Sequence, residues 1–140
     1  MYMFNVRVYG ILIDAQNRVL VSDERTQSVS FTKFPGGGLE YGEGLLDALK
    51  REFIEECNLE IEVVKHLYTT DFYEKSSFNS SQILSVYYLV KALGPLTMPL
   101  QEHPMNFKTL NTQDKEEVFR LIDCHELHSD HLTFKTDQVA

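Results

Sequence analysis

Residues 37–59 read GGLEYGEGLLDALKREFIEECNL, and this stretch decides how the chain folds. Leu46, Leu49, Phe53 and Cys57 recur at spacings of three, four and four, an apolar stripe that predicts a helix over 43–57 with these side chains in the core. Asn58 tolerates the left-handed conformation in which helices often end, so the helix is expected to stop there. At about 100° per residue, Glu52, Glu55 and Glu56 share one face beside that stripe, at i, i+3 and i+4. Like charges at this spacing repel and weaken a helix. Two answers stand: solvent around the face, or a hard divalent cation, to which carboxylate oxygens are suited. The run Pro35-Gly36-Gly37-Gly38 just before the helix favours the cation. It is not expected to continue regular structure, and it permits positive φ and close approach to a ligand.

Outward from the helix, strand signals dominate. Residues 3–13, rich in Phe, Val and Ile, read as a strand. Asp14 to Asn17 is a turn cluster, and Arg18 to Val21 returns as a second strand, so a hairpin is expected. A polar stretch from Ser22 to Ser30 precedes a short strand over Phe31 to Phe34. Beyond the helix, Ile61 to Tyr73 reads as a strand with a break, Glu74 to Ser81 as a loop, and Ile83 to Ala92 as a strong strand. Gly94 to Asn111 holds three of the four prolines and reads as an irregular loop. Val118 to Ile122 is a short strand, and Glu126 to Ala140 is weakly helical. One strong helix among strands, with a weaker one at the end, predicts an α/β or α+β sandwich.

The chain has 140 residues, 43% hydrophobic and 24% charged, which fits one domain over 1–140 and excludes a disordered chain, a collagen and a coiled coil. No apolar run is long enough to span a membrane, and no basic segment leads into an apolar one at the N-terminus, so a cytoplasmic protein without a signal peptide is expected. The net charge is −8, which disfavours bulk binding of nucleic acid. Eight acids against two bases between Glu40 and Glu62 carry −6 of it. Cys57 and Cys124 read as reduced thiols, Cys57 buried on the stripe. Of the histidines, His125 and His128 lie close to Cys124, but a zinc site there lacks a further ligand.

The spacing of Gly37, Glu43, Arg51, Glu52, Glu55 and Glu56 resembles the Nudix box: Gly, five residues, Glu, seven residues, Arg-Glu, an aliphatic, one residue, Glu-Glu, one residue, Gly, an aliphatic. All six of these fixed positions match. Asn58 replaces the last glycine and Phe53 the aliphatic, and neither departure touches a carboxylate. The resemblance, to the MutT-like Nudix hydrolases, extends over nearly the whole chain. It implies an α/β/α sandwich, a mixed sheet packed by the motif helix and a C-terminal helix. It also implies a metal-dependent pyrophosphohydrolase acting on a nucleoside diphosphate linked to another moiety: a nucleoside triphosphate, an ADP-ribose-like compound or a nucleotide sugar. Glu52, Glu55 and Glu56 would bind Mg²⁺ or Mn²⁺, with a backbone carbonyl from Gly37 or Gly38. Glu43 and Arg51 would form a salt bridge holding the glycine loop on the helix. A homodimer is one arrangement the family uses. The alternative is a Nudix-like nucleotide-sensing module without turnover, a version that usually loses box carboxylates; this chain keeps them.

The chemistry follows from charge. A pyrophosphate repels nucleophilic water, carboxylates alone deepen that repulsion, and divalent ions reverse it. Glu52 or Glu55 would then serve as general base, with Glu116 and Glu117, read as acids on a loop before the Val118 strand, as the loop candidates. Arg25 and Lys33, in the segment leading to Pro35, are candidate phosphate contacts, weighed against plain surface charge. Phe72, Tyr73 and Phe78 would stack on a base or sugar, or serve as core.

Overall fold

β1 (Phe4–Leu12) is hydrogen-bonded on one side to β4 (Gly36–Gly38), antiparallel, and on the other to β6 (Gln82–Ala92), parallel, with β5 (Ile61–Thr69) antiparallel beyond β6. This mixed sheet has the order β4-β1-β6-β5. A second, antiparallel sheet has the order β3-β2-β7, from β2 (Arg18–Thr26), β3 (Val29–Lys33) and β7 (Glu116–Asp123). The helix α1 (Leu45–Cys57) packs on β4, β1 and β5. The structure is a computed structural model that describes residues 3–26, 29–76, 79–105, 107 and 116–128. Most of the weak helix expected over 126–140, and with it the C-terminal layer, lies outside the described residues, as does Phe78. The α+β class and the mixed sheet packed by the motif helix are as expected.

Alternation along β1 divides the core. Val8 and Leu12 face α1 in a cluster with Leu20, Ala48, Leu49, Phe53, Cys57, Leu59, Ile61, Val90 and Phe119. Tyr9 faces the other way, into a cluster with Val19, Val21, Phe34, Tyr87 and Ile122. Leu46, expected in the core, is 44% exposed. It sits in the first turn of α1, and Ala48 is the buried residue there, so the stripe runs Ala48, Leu49, Phe53, Cys57. Asn58 ends the helix at φ 50°, its N–H donating to Ile54 O at 3.0 Å. Leu59 N–H donates to Phe53 O at 3.3 Å.

Three expectations need correction. The hairpin turn forms: Asp14 Oδ1 accepts from Gln16 and Arg18 N–H, and Asn17 has φ 60°. Yet the strands it joins diverge into different sheets, linked by a single bridge between Ile13 and Val19. The turn is local, but the partners of β1 are distant strands: β6 pairs along its whole length and β4 with Arg7 to Tyr9. Second, the glycine run does enter regular structure, as β4, with Gly37 opposite Val8. Gly36 makes this possible: its φ is +150°, and a Cβ there would lie 2.1 Å from Val8 O. Third, β2 continues through the polar residues to Thr26, and β7 begins at Glu116, so Glu116 and Glu117 are strand residues rather than loop acids. Paired neighbours on both sides of β2 satisfy its backbone whatever side chains it carries.

The polar end of β2 holds a buried charge. Asp23 is fully buried and accepts from Arg120 Nε at 2.7 Å, Thr32 Oγ1 at 2.6 Å and the Met105 N–H at 3.1 Å. One carboxylate thus ties β2, β3, β7 and the segment after Pro99 together. Removing one partner of such a pair strands the other charge in the interior. Asp23→Ala is expected to destabilise the fold by about 3–5 kcal/mol, read as a lower urea midpoint. A loss within ~0.5 kcal/mol, the scale of an ordinary surface change, would contradict the assignment.

Candidate active site

The site is assembled on the helix by Arg51. Its Nη2 and Nε donate to the two oxygens of Glu43 at 2.6 and 3.0 Å, and Nη2 also reaches the Gly38 carbonyl at 3.1 Å. Nη1 donates to Glu52 Oε1 at 3.0 Å and Glu55 Oε2 at 3.2 Å. The planar guanidinium therefore binds the turn, β4 and the helix in one arrangement that an ammonium would not reproduce. Hydrogen bonding from Arg51 holds the Glu43 carboxyl below its usual pKa. Glu43 in turn accepts the Glu40 N–H at 2.9 Å.

Glu52 lies against the backbone of Gly37. A Cβ at Gly37 would come within 2.5 Å of its carboxylate, so only glycine leaves Glu52 its position. Glu55 is 57% exposed at its side chain. Glu56 turns inward, and its Oε2 is buried with no hydrogen-bond partner among the described residues. Burial pushes the Glu56 carboxyl up to about 8; Lys33 pulls against that, while Glu117, Glu52 and Glu24 add to it. The three box carboxylates that share a face on the wheel thus divide into two turned inward and one outward.

The second sheet supplies the other side. Ser22 and Glu24 on β2, Lys33 on β3 and Glu117 on β7 fall on one face, with Ser22 opposite Lys33 and Glu24 opposite Glu117. Lys33 Nζ lies 3.6 Å from Glu117 Oε2 and 3.7 Å from Glu24 Oε2. The Ser22 hydroxyl donates to Glu117 Oε2. Burial opposes the Lys33 charge, but Glu56, Glu117 and Glu24 together raise its pKa above the ordinary value. A cleft of about 470 Å³ opens beside Glu56 and Glu117, walled by Met98, Pro99, Val118 and Phe119.

Not every residue singled out in the sequence joins this cluster. Arg25 is buried, not a surface charge, and lies beside Glu116 at 3.7 Å and over the Phe107 ring at 4.8 Å. It follows Glu24 in the strand and so faces the opposite side of the sheet. Tyr73 is exposed and lines a separate groove with Met3, Phe4 and Lys75, and Phe72 is half-buried beside it in the chain. Arg7 was missed by the sequence reading. It pairs in register with Gly38 and donates from Nε to Tyr9 Oη at 2.6 Å; burial opposes its charge, but Tyr9 first, then Glu52 and Glu24, raise its pKa. Only the β1–β4 pairing brings it here. The Cys57 thiol is pushed up to about 12 by burial and by nearby Glu56 and Glu117, which leaves it inert.

Among the described residues no three His, Cys, Asp or Glu side chains converge on a common point as they stand. Glu52 and Glu55 are engaged by Arg51. The donor chemistry nevertheless fits a hard cation: three carboxylates, one of them with a buried oxygen that has no donor among the described residues.

The chain matches the NUDIX domain family model over residues 3–138, and it belongs to the Nudix hydrolase family. A search of curated proteins finds no match. Solved structures with the same fold include a MutT NUDIX hydrolase from Burkholderia pseudomallei (17% identity, TM-score 0.70, covering 98% of this chain and 95% of that one). Others are the ORF135 protein of E. coli (21%, 0.59, 85% and 74%) and an ADP-ribose pyrophosphatase from Streptococcus suis (15%, 0.57, 88% and 76%).

The raised Glu56 pKa has a measurable sign. Between its ordinary value of 4.5 and about 8, the native state keeps a proton that the unfolded chain has lost. Stability from this group is therefore full below 4.5 and is lost as pH rises towards 8. In EDTA, the unfolding midpoint of the wild type is expected to fall across that window more steeply than that of Glu56→Gln. Equal slopes would show that Glu56 does not titrate in this way.

Proposed function

We propose that this Nudix hydrolase is a metal-dependent pyrophosphohydrolase that cleaves a nucleoside diphosphate linked to another moiety, using Mg²⁺ or Mn²⁺. The observation that carries this reading is the buried Glu56 oxygen without a donor, beside a Glu52 carboxylate packed on Gly37. Glu52, Glu55 and Glu56 would hold the ion, with the Gly37 carbonyl as a further oxygen donor. Once bound, the cation supplies the positive charge that lets this acidic pocket accept a pyrophosphate and that polarises its phosphoryl oxygens.

The remaining work belongs to the chain. Arg51, through Glu43 and the Gly38 carbonyl, fixes β4 against the helix so that Glu52 keeps its place. Glu55 is the general base we assign, because it is the solvent-facing carboxylate and receives a proton at its Oε without entering the interior. Glu117, tied to Ser22 and Lys33, has the weaker claim. Arg7, at the Gly38 edge, is the cation we assign to an incoming phosphate in place of Arg25. The substrate is a small nucleotide; the ADP-ribose pyrophosphatase among the structural neighbours supports that class without fixing the compound. We read residues 1–140 as one domain acting in the cytoplasm.

The test is hydrolysis of a panel of nucleoside triphosphates, 8-oxo-dGTP, ADP-ribose, a dinucleoside polyphosphate and a nucleotide sugar, each with Mg²⁺, Mn²⁺ or EDTA, read by chromatography as the nucleoside monophosphate and the phosphorylated co-product. At least one compound is expected to turn over with metal and not in EDTA. Glu52→Gln and Glu56→Gln are each expected to reduce kcat by about 100-fold or more, since loss of a metal ligand removes several kcal/mol of charge stabilisation. Metal binding without turnover of any compound would instead favour a sensing module.

A further inference from the structure

We propose that Lys33 is a fixed internal cation of the carboxylate cluster, standing in for part of the positive charge that divalent ions would otherwise supply and thereby weakening their binding. This rests on Glu52, Glu55 and Glu56 being the metal ligands.

The argument is geometric. The Lys33 side chain is only 6% exposed, and its Nζ makes no hydrogen bond among the described residues. Lysine is almost never buried this far unless paired. Its partners are charges: Glu117 Oε2 at 3.6 Å and Glu24 Oε2 at 3.7 Å, and Glu117 lines one cleft with Glu56 of the helix. Glu117 is oriented by the Ser22 hydroxyl on the strand beside Lys33. The ammonium is thus held where acids from β2, β7 and α1 meet, among groups that would repel one another without it. An ammonium gripping a substrate phosphate would be expected at an exposed edge, whereas this one is buried against carboxylates. Its charge is therefore already matched to the protein's own acids. A divalent ion entering beside Glu56 meets that charge at short range, and the repulsion lowers its affinity.

The experiment is Mn²⁺ binding by titration calorimetry on the full chain, comparing wild type, Lys33→Met and Lys33→Arg, with thermal unfolding in EDTA and in Mn²⁺. Lys33→Met keeps the length and removes the charge. It is expected to bind Mn²⁺ at least about tenfold more tightly, to unfold at lower temperature in EDTA than wild type, and to gain more from Mn²⁺. Lys33→Arg is expected to keep wild-type affinity. If Lys33→Met is unfolded in EDTA, Mn²⁺ is expected to refold it, and failure to do so overturns the proposal. Unchanged or weaker Mn²⁺ affinity in a folded Lys33→Met also overturns it, and leaves the metal ligands standing if the wild type binds. Absence of Mn²⁺ binding by the wild type overturns the metal site itself.

Discussion

The site depends on one guanidinium. Arg51 spans the turn at Glu43, the carbonyl of Gly38 and the carboxylates of Glu52 and Glu55, all within 3.2 Å. Two of these contacts make a bidentate fork on Glu43, the geometry in which arginine–carboxylate pairs are strongest. What the fork fixes is a spacing. It brings β4 to the helix so closely that Glu52 rests on Gly37 with no room for a Cβ. The motif's glycine and its arginine therefore answer the same demand from opposite sides: one removes an obstacle and the other pulls the two elements together.

With that spacing two acids of the helix, Glu52 and Glu56, turn inward, where uncompensated charge is expensive. The second sheet answers it. On β2, four consecutive polar residues alternate between two sides: Ser22 and Glu24 join the cluster with Glu117 and Lys33, while Asp23 and Arg25 face away from it. Each side has its own counter-charge, Lys33 on the first and Arg120 on the second. The two networks differ in kind. Asp23 is held by hydrogen bonds from Arg120, Thr32 and Met105, whereas Glu56 and Lys33 each retain a buried polar atom with no hydrogen-bond partner among the described residues. Unsatisfied groups of this kind are rare in a protein interior.

The sequence disclosed what is local. Helix α1 follows from a side-chain period, and its end from Asn58, both contained within a few residues. The carboxylates and Arg51 were legible for the same reason: their relation is a spacing along one helix. The missing parts are relations between strands. A turn at Asp14 to Asn17 gives no sign that the strands it joins belong to different sheets. A glycine run looks like a break until a distant strand offers it hydrogen bonds. Arg7 is ordinary in the sequence and acquires a place only by pairing opposite Gly38. Arg25 and Lys33 look equivalent before Pro35, but they differ by an even number of residues on paired strands whose register sends one to each side of the sheet.

The same distinction explains why the box gives the chemistry without giving the compound. The wall of the cleft opposite the helix includes Met98, Pro99 and Gln101. This segment is pinned by main-chain groups: the Gln101 N–H donates to Phe119 O at 2.7 Å and the Met105 N–H to Asp23. Main-chain anchoring holds the segment whatever side chains it carries, although Met98 also packs against the core cluster. Structural neighbours below 25% identity share the fold. The surface that would meet the rest of the substrate is set by a different part of the chain, under different physical rules, and carries no signature at fixed spacing for a sequence reading to find.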